Sequence, residues 1–188
     1  MPENRPDDFL EDDEALQFAA QIFQLARNGD AEVLSRILAR GFPCNMRNDK
    51  GDSLLMLAAY NGNEPAVIAL LQHGADPNIA NDLGQTPLAA VSYKGNMSIA
   101  KHLLAYGARN DAPQPGGRTA LMMAAMFDRV EMLEFLLSLG ANPTYRDGSQ
   151  ISALDLARAM NATQAVSILQ AALEQTALAE NHASDLHD

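Results

Sequence analysis

Residues 74–88 read Gly74-Ala75-Asp76-Pro77-Asn78-Ile79-Ala80-Asn81-Asp82-Leu83-Gly84-Gln85-Thr86-Pro87-Leu88. Gly74 ends one helical stretch, and the turn-rich run Ala75-Asp76-Pro77-Asn78 cannot continue it. Thr86 opens the next stretch, with a hydroxyl able to accept from the free N–H groups of a helix start. Pro87 follows at the first helical position, where its missing N–H costs nothing.

This punctuation repeats. Gly41, Gly74, Gly107 and Gly140 stand 33 residues apart. Gly29, Gly62 and Gly95 keep the same period, with Asp128 in the fourth register, where Asp tolerates the left-handed backbone better than most residues. Ser53, Thr86, Thr119 and Ser152 form a column of helix caps, and Leu55, Leu88, Leu121 and Leu154 form an apolar one, with Ile22 one period earlier. Four columns at one spacing define an internal repeat.

Each unit reads as a short alanine-rich helix, a turn, a second helix and an extended hairpin. The first helix is Leu54-Leu55-Met56-Leu57-Ala58-Ala59 in one unit and Ala120-Leu121-Met122-Met123-Ala124-Ala125 in another. The second helices are predicted over Glu64 to Gln72, Met97 to Ala105 and Val130 to Ser138, with apolar residues at helical spacing. A C-terminal capping helix is predicted over about Thr163 to Leu178. The prediction is an all-α solenoid with units at about 15–47, 48–80, 81–113, 114–146 and 147–178. An acidic tail, disordered or partly helical, is expected over 1–14, and a second acidic tail over 179–188.

Composition agrees with this class. Of 188 residues 47% are hydrophobic and 5% aromatic, with no Trp, and Ala, Leu and Met are good helix formers. The lone Cys44 permits no internal disulfide. The N-terminus is acidic, unlike a signal peptide, and the longest apolar run, Ala120 to Phe127, is too short for a membrane span. The expectation is a cytoplasmic protein without membrane insertion, monomeric when free. The preponderance of Arg over Lys points to a bacterial source.

The segments Gly74-Ala75-Asp76-Pro77-Asn78, Gly84-Gln85-Thr86-Pro87-Leu88 and Gly140-Ala141-Asn142-Pro143 resemble the ankyrin-repeat family, and the resemblance extends over about residues 15–173. That family carries a His two residues after the capped-turn proline, where it bonds between repeats. Here those positions hold Met56, Ala89, Met122 and Asp155, so methionine packing is expected in place of that network. The run Pro113-Gln114-Pro115-Gly116-Gly117 departs as well, and an irregular hairpin is expected there.

No nucleophile elbow, phosphate loop, zinc motif or dinucleotide fingerprint is present. His73 and His102 read as helix-end residues, and His182 and His187 fall in the acidic tail. Cys44 reads as a small apolar filler, and Glu131 with Glu134 as a solvated helical pair. No cofactor, metal or catalytic residue is predicted.

The resemblance implies partner contact through the hairpin tips and the exposed face of each first helix. Carried over by column, the helix-face residues are Tyr60, Asn61, Tyr93, Lys94, Met126, Phe127 and Met160. The tip residues are Arg47, Asn48, Lys50, Asp52, Asn81, Asp82, Leu83, Gln85, Arg118, Arg146 and Asp147. The aromatic stripe serves either as an anchor for a partner or as cover for the adjacent helix.

The expected function is a non-catalytic protein-binding module. The alternatives are an antidote that blocks a toxin or effector enzyme, and an enzyme with an unrecognised site at Asp128, Glu131 or Cys44. A net charge of −11 argues against nucleic acid, which needs a basic face. The acidity sits at the ends: residues 1–14 carry seven acids against one Arg, and residues 174–188 four acids and no Lys or Arg. The repeats between them are left at −1, so the exclusion is softer for the groove than for the whole chain. A protein partner remains the expectation.

Overall fold

The hydroxyl column sets the frame. In the computed structural model, which describes residues 6–110 and 117–184 and the side chains within 14–110 and 117–178, Ser53, Thr86, Thr119 and Ser152 each accept from the N–H three residues on. Behind them run α3 (Leu54–Tyr60), α5 (Pro87–Lys94), α7 (Ala120–Met126) and α9 (Ala153–Ala159). The second helices are α4 (Glu64–Gln72), α6 (Met97–Ala105) and α8 (Val130–Ser138), bounded as the periodicity predicts. The first unit supplies α1 (Pro6–Asn28) and α2 (Ala31–Leu38), and α10 (Thr163–Ser184) closes the array. The result is an all-α solenoid of helix pairs, with antiparallel bridges Arg47–Ser53 and Arg146–Ser152 between hairpin and helix.

The first helices stack in one row, α1 on α3, α5, α7 and α9 in turn, and the second helices in an outer row that is thinnest between α6 and α8. Small residues permit the inner stacking: Ala26, Ala59, Ser92 and Ala125 share a column and are buried. Ser92 satisfies its buried hydroxyl by donating to the Leu88 carbonyl at 2.7 Å. Ile22, Leu55, Leu88 and Leu121 are buried against them, as are Met56 and Met122 at the columns where the family carries His.

The first and last helices run on into the two acidic segments. α1 starts at Pro6 and passes through position 14. α10 extends past Leu178 to Ser184. The Pro113–Gly116 part of the irregular hairpin and the imidazole of His182 lie outside the described residues, as does His187.

Polar joints tie each unit to the next. Asn63 donates from Nδ2 to the Arg27 carbonyl at 2.6 Å, and Arg129 donates from Nε to the Tyr93 carbonyl at 3.0 Å. Asn45 and Asn78 accept from the Asp76 and Arg109 N–H groups at 2.9 and 2.8 Å. Asp128 takes the left-handed backbone (φ 51°) as its register predicts, and Asn161 does so one unit later (φ 56°).

His102 stands in the last turn of α6, as expected, and its side chain also reaches the neighbouring unit. Its Nε2 lies 2.9 Å from Glu64 Oε1 on the neighbouring unit, and the Ser98 hydroxyl donates to the same oxygen. The Ser98 hydrogen bond, followed by that of His102, holds the Glu64 carboxyl below its ordinary value. His73 occupies the C-cap position of α4, with its side chain exposed.

Candidate binding groove

Short polar side chains build the hairpin tips. Asn48 Oδ1 accepts from the N–H groups of Lys50 and Asp52, Asn81 Oδ1 from Leu83 and Gln85, and Asp147 Oδ1 from Ser149 and Ile151. Each oxygen closes its own turn, as Asx residues do in tight loops. These three candidates shape the tips, and Asp147 is itself buried.

Neighbouring tips are joined. Arg47 Nη2 pairs with Asp82 Oδ1 at 2.7 Å while its Nε donates to the Gly51 carbonyl at 2.8 Å. Asn81 Nδ2 donates to Asp52 Oδ1 at 2.9 Å. Farther along, Arg118 Nε stands 3.7 Å from Asp147 Oδ2, and Arg146 Nη1 3.1 Å from Asp155 Oδ2. Asp155 occupies a column that holds His in the family, and there it forms a capping box with Ser152. The Ser152 hydroxyl is the main cause of its lowered pKa, with the Ser152 N–H and Arg146 adding to it. Leu83 is 77% exposed at its tip, and Lys50 is exposed one unit earlier.

Opposite the tips runs the ring stripe. Tyr60 and Tyr93 stack in parallel with centroids 6.3 Å apart, and Phe127 meets Tyr93 edge-on at 4.4 Å. Lys94 Nζ lies 4.7 Å from the Tyr60 centroid and 5.4 Å from that of Tyr93, within cation–π range. Tyr60 remains 46% exposed. The rings thus contact one another and also face open space.

Between tips and rings lies a cavity of about 360 Å³. Of the residues singled out from sequence, it brings together Asp52, Asn81, Gln85 and Arg118 from the hairpin side with Tyr60, Tyr93, Met126 and Phe127 from the helix side. Lys94 stands over two of its rings. Arg47, Asn48, Lys50, Asp82 and Leu83 belong to the tips beside it. Asn61 donates to the Leu57 carbonyl at the end of α3, and Arg146, Asp147 and Met160 lie outside the lining. The floor, made of Met56, Leu57, Ala90 and Met123, was missed because these residues read as core. The signal available for it was the early position of the alanine pair in α5.

Among the described residues no three His, Cys, Asp or Glu side chains gather as for a metal ion, and no described helix is long and apolar enough to cross a membrane. Asp128 is engaged in capping α10, since its Oδ1 accepts from the Ala165 N–H at 2.8 Å. Glu131 is exposed, and Cys44 packs against the core.

Stacked helix pairs with a tip-and-helix groove define a helical-repeat scaffold. The chain belongs to the ankyrin-repeat family: the family model for ankyrin repeats in three copies matches residues 16–114, 70–147 and 90–177. It is also similar to an ankyrin repeat protein of Pseudomonas aeruginosa, with 53% identity over 49 residues. That match spans 26% of this chain and 29% of the relative. Ankyrin repeats are in general protein–protein interaction modules.

Proposed function

We propose that this chain is a non-catalytic module that holds a segment of another protein along the groove between its hairpin tips and first helices. The observation that carries this reading is the cavity framed by Tyr60, Tyr93, Met126 and Phe127. Aromatic and Met side chains left open to solvent cost solubility, and the same types anchor interfaces. Rings held by stacking lose little further entropy on binding, so the surface is pre-organised.

The test is site-specific photo-crosslinking in cells of the source organism. A benzophenone side chain replaces Lys50 or Leu83 at the tips of the groove, or Gln72 or Ser138 on the outer helices. The groove positions are expected to trap one discrete protein and the outer positions to miss it. Tyr93→Ala, Phe127→Ala and Leu83→Asp should then weaken binding of that protein with little loss of helicity. Unchanged affinity in all three variants sinks the groove assignment.

A further inference from the structure

The apolar part of the groove is shaped by a displacement of small residues. In α3 and α7 the alanine pair lies late in the helix, as Ala58-Ala59 and Ala124-Ala125. In α5 it comes earlier, as Ala89-Ala90. One period to either side of Ala90 stand Leu57 and Met123. The ridge formed by this column therefore has a gap one side chain wide at its centre. Leu57 and Met123 wall it, and the Tyr93 and Phe127 rings help to close it. Such a gap is apolar and fits one protruding side chain.

The polar rim is one-sided. Among the described residues Asp52 is the one carboxylate of the lining, and both its oxygens are engaged, by Asn81 Nδ2 at 2.9 Å and Asn48 Nδ2 at 3.4 Å. The donors are less satisfied. Lys94 rests over the tyrosines, with no carboxylate at ion-pair distance among the described residues. Arg118 is 39% exposed, its contacts being Asp147 at 3.7 Å and Met126 Sδ at 3.6 Å. The amide nitrogen of Gln85 has no acceptor among the described residues, although its Oε1 accepts from Asn81 at 3.4 Å. A rim of spare donors around an apolar gap selects an occupant with carboxylates beside a bulky apolar side chain.

We propose that the groove takes an acidic segment of a partner protein. A bulky apolar side chain enters the gap at Ala90, and flanking Asp or Glu residues meet Arg118 on the hairpin side and Lys94 on the ring side. This rests on the groove being the binding face. The Ala90 gap sets the position of the segment, and the two cations set its charge.

The probe is a phage-displayed library of random peptides, panned on the full chain. Ala90→Met gives α5 the residue that α7 carries at the same column, so it fills the gap within the repeat's own pattern. Circular dichroism and the urea midpoint confirm its fold. Selected peptides are expected to share a bulky apolar residue with Asp or Glu within two positions. A synthetic copy should lose at least about tenfold in affinity to Ala90→Met, and as much to Lys94→Glu combined with Arg118→Gln. Peptides that need the gap but carry Lys or Arg, or that bind the rim variant unchanged, refute the acidic chemistry and leave the groove standing. A selection that yields no peptide sensitive to Ala90→Met refutes both.

Discussion

Asp128 stands where the preceding units carry Gly29, Gly62 and Gly95, and replacing it separates two opposed contributions. Its φ of 51° lies in the left-handed region. That region costs an ordinary L-residue about 1–2 kcal/mol, somewhat less for Asp, and glycine almost nothing. Against that cost, Asp128 Oδ1 accepts from the Ala165 N–H at 2.8 Å. Ala165 lies in the first turn of α10 and is 0% exposed, and Ala162 just before the helix has no side-chain acceptor. Without Asp128 that N–H is an orphan that water does not reach, a loss of about 1–2 kcal/mol. Asp128→Asn keeps the acceptor and the backbone tolerance and gives up only the charge at a helix start, about 0.5 kcal/mol. Asp128→Gly loses the cap and recovers backbone strain, for a net loss of about 1 kcal/mol. Asp128→Ala loses the cap and adds strain, for about 2 kcal/mol. The assay is urea unfolding of the three variants together with amide exchange at Ala165, which should quicken in the Gly and Ala variants and hold in the Asn variant. Equal losses for Gly and Ala would remove the backbone contribution, and unchanged Ala165 exchange in both would remove the cap.

Further outcomes follow from other contacts. Gly51 and Gly74 both have positive φ, but a Cβ at Gly51 collides with the Arg47 guanidinium and the Asp82 carboxylate, whereas at Gly74 it meets open space. Gly74→Ala should therefore cost about 1 kcal/mol and Gly51→Ala more, with Asp82→Ala recovering part of the excess in the double mutant by removing one of the two obstacles; equal unfolding midpoints for the two single variants would contradict this. Because the Glu64 carboxyl is held low, chiefly by Ser98, the unfolded chain takes up that proton first. Its contribution is whole above the ordinary glutamate value of about 4.3, declines as pH falls through that value, and is gone below the lowered folded value. Ser98→Ala should flatten the acid limb of urea midpoint against pH, and superimposable limbs would count against the contact. Amide exchange should be slowest in α3, α5 and α7 and fastest at the ends of α1 and α10, since terminal units have one neighbour each; uniform protection along the array would refute that ordering.

The period made the fold legible because its signals are local. A hydroxyl at Ser53 or Thr119 caps the helix that follows it, and the apolar spacing in Glu64–Gln72 marks one face, so both survive reading along the chain. The ring contacts were legible because Tyr60, Tyr93 and Phe127 fall in two adjacent columns of the repeat. What escaped reading depends on distances between columns. Ala90 looks like any core alanine until Leu57 and Met123 are seen on either side of it. Asn48 and Asn81 read as tip residues, but that their oxygens also close their own turns is not visible in the spacing. His102 reads as a helix-end residue, which it is, but its partner Glu64, 38 positions earlier on α4, is not visible from the spacing.

The joints between units have a consequence for how such a chain changes length. The amide of Asn63 closes the end of α1 in the unit before it, and Asn78 of the same unit receives a donor from the unit after it. The unit at 48–80 thus carries one half of two fasteners, facing opposite ways. A 33-residue segment copied in frame inserts both halves at once, and the seams on either side can close again. A segment of another length breaks two seams together. The array is modular in the manner of a chain of hooks and eyes: a whole link is added or removed more cheaply than any fraction of one.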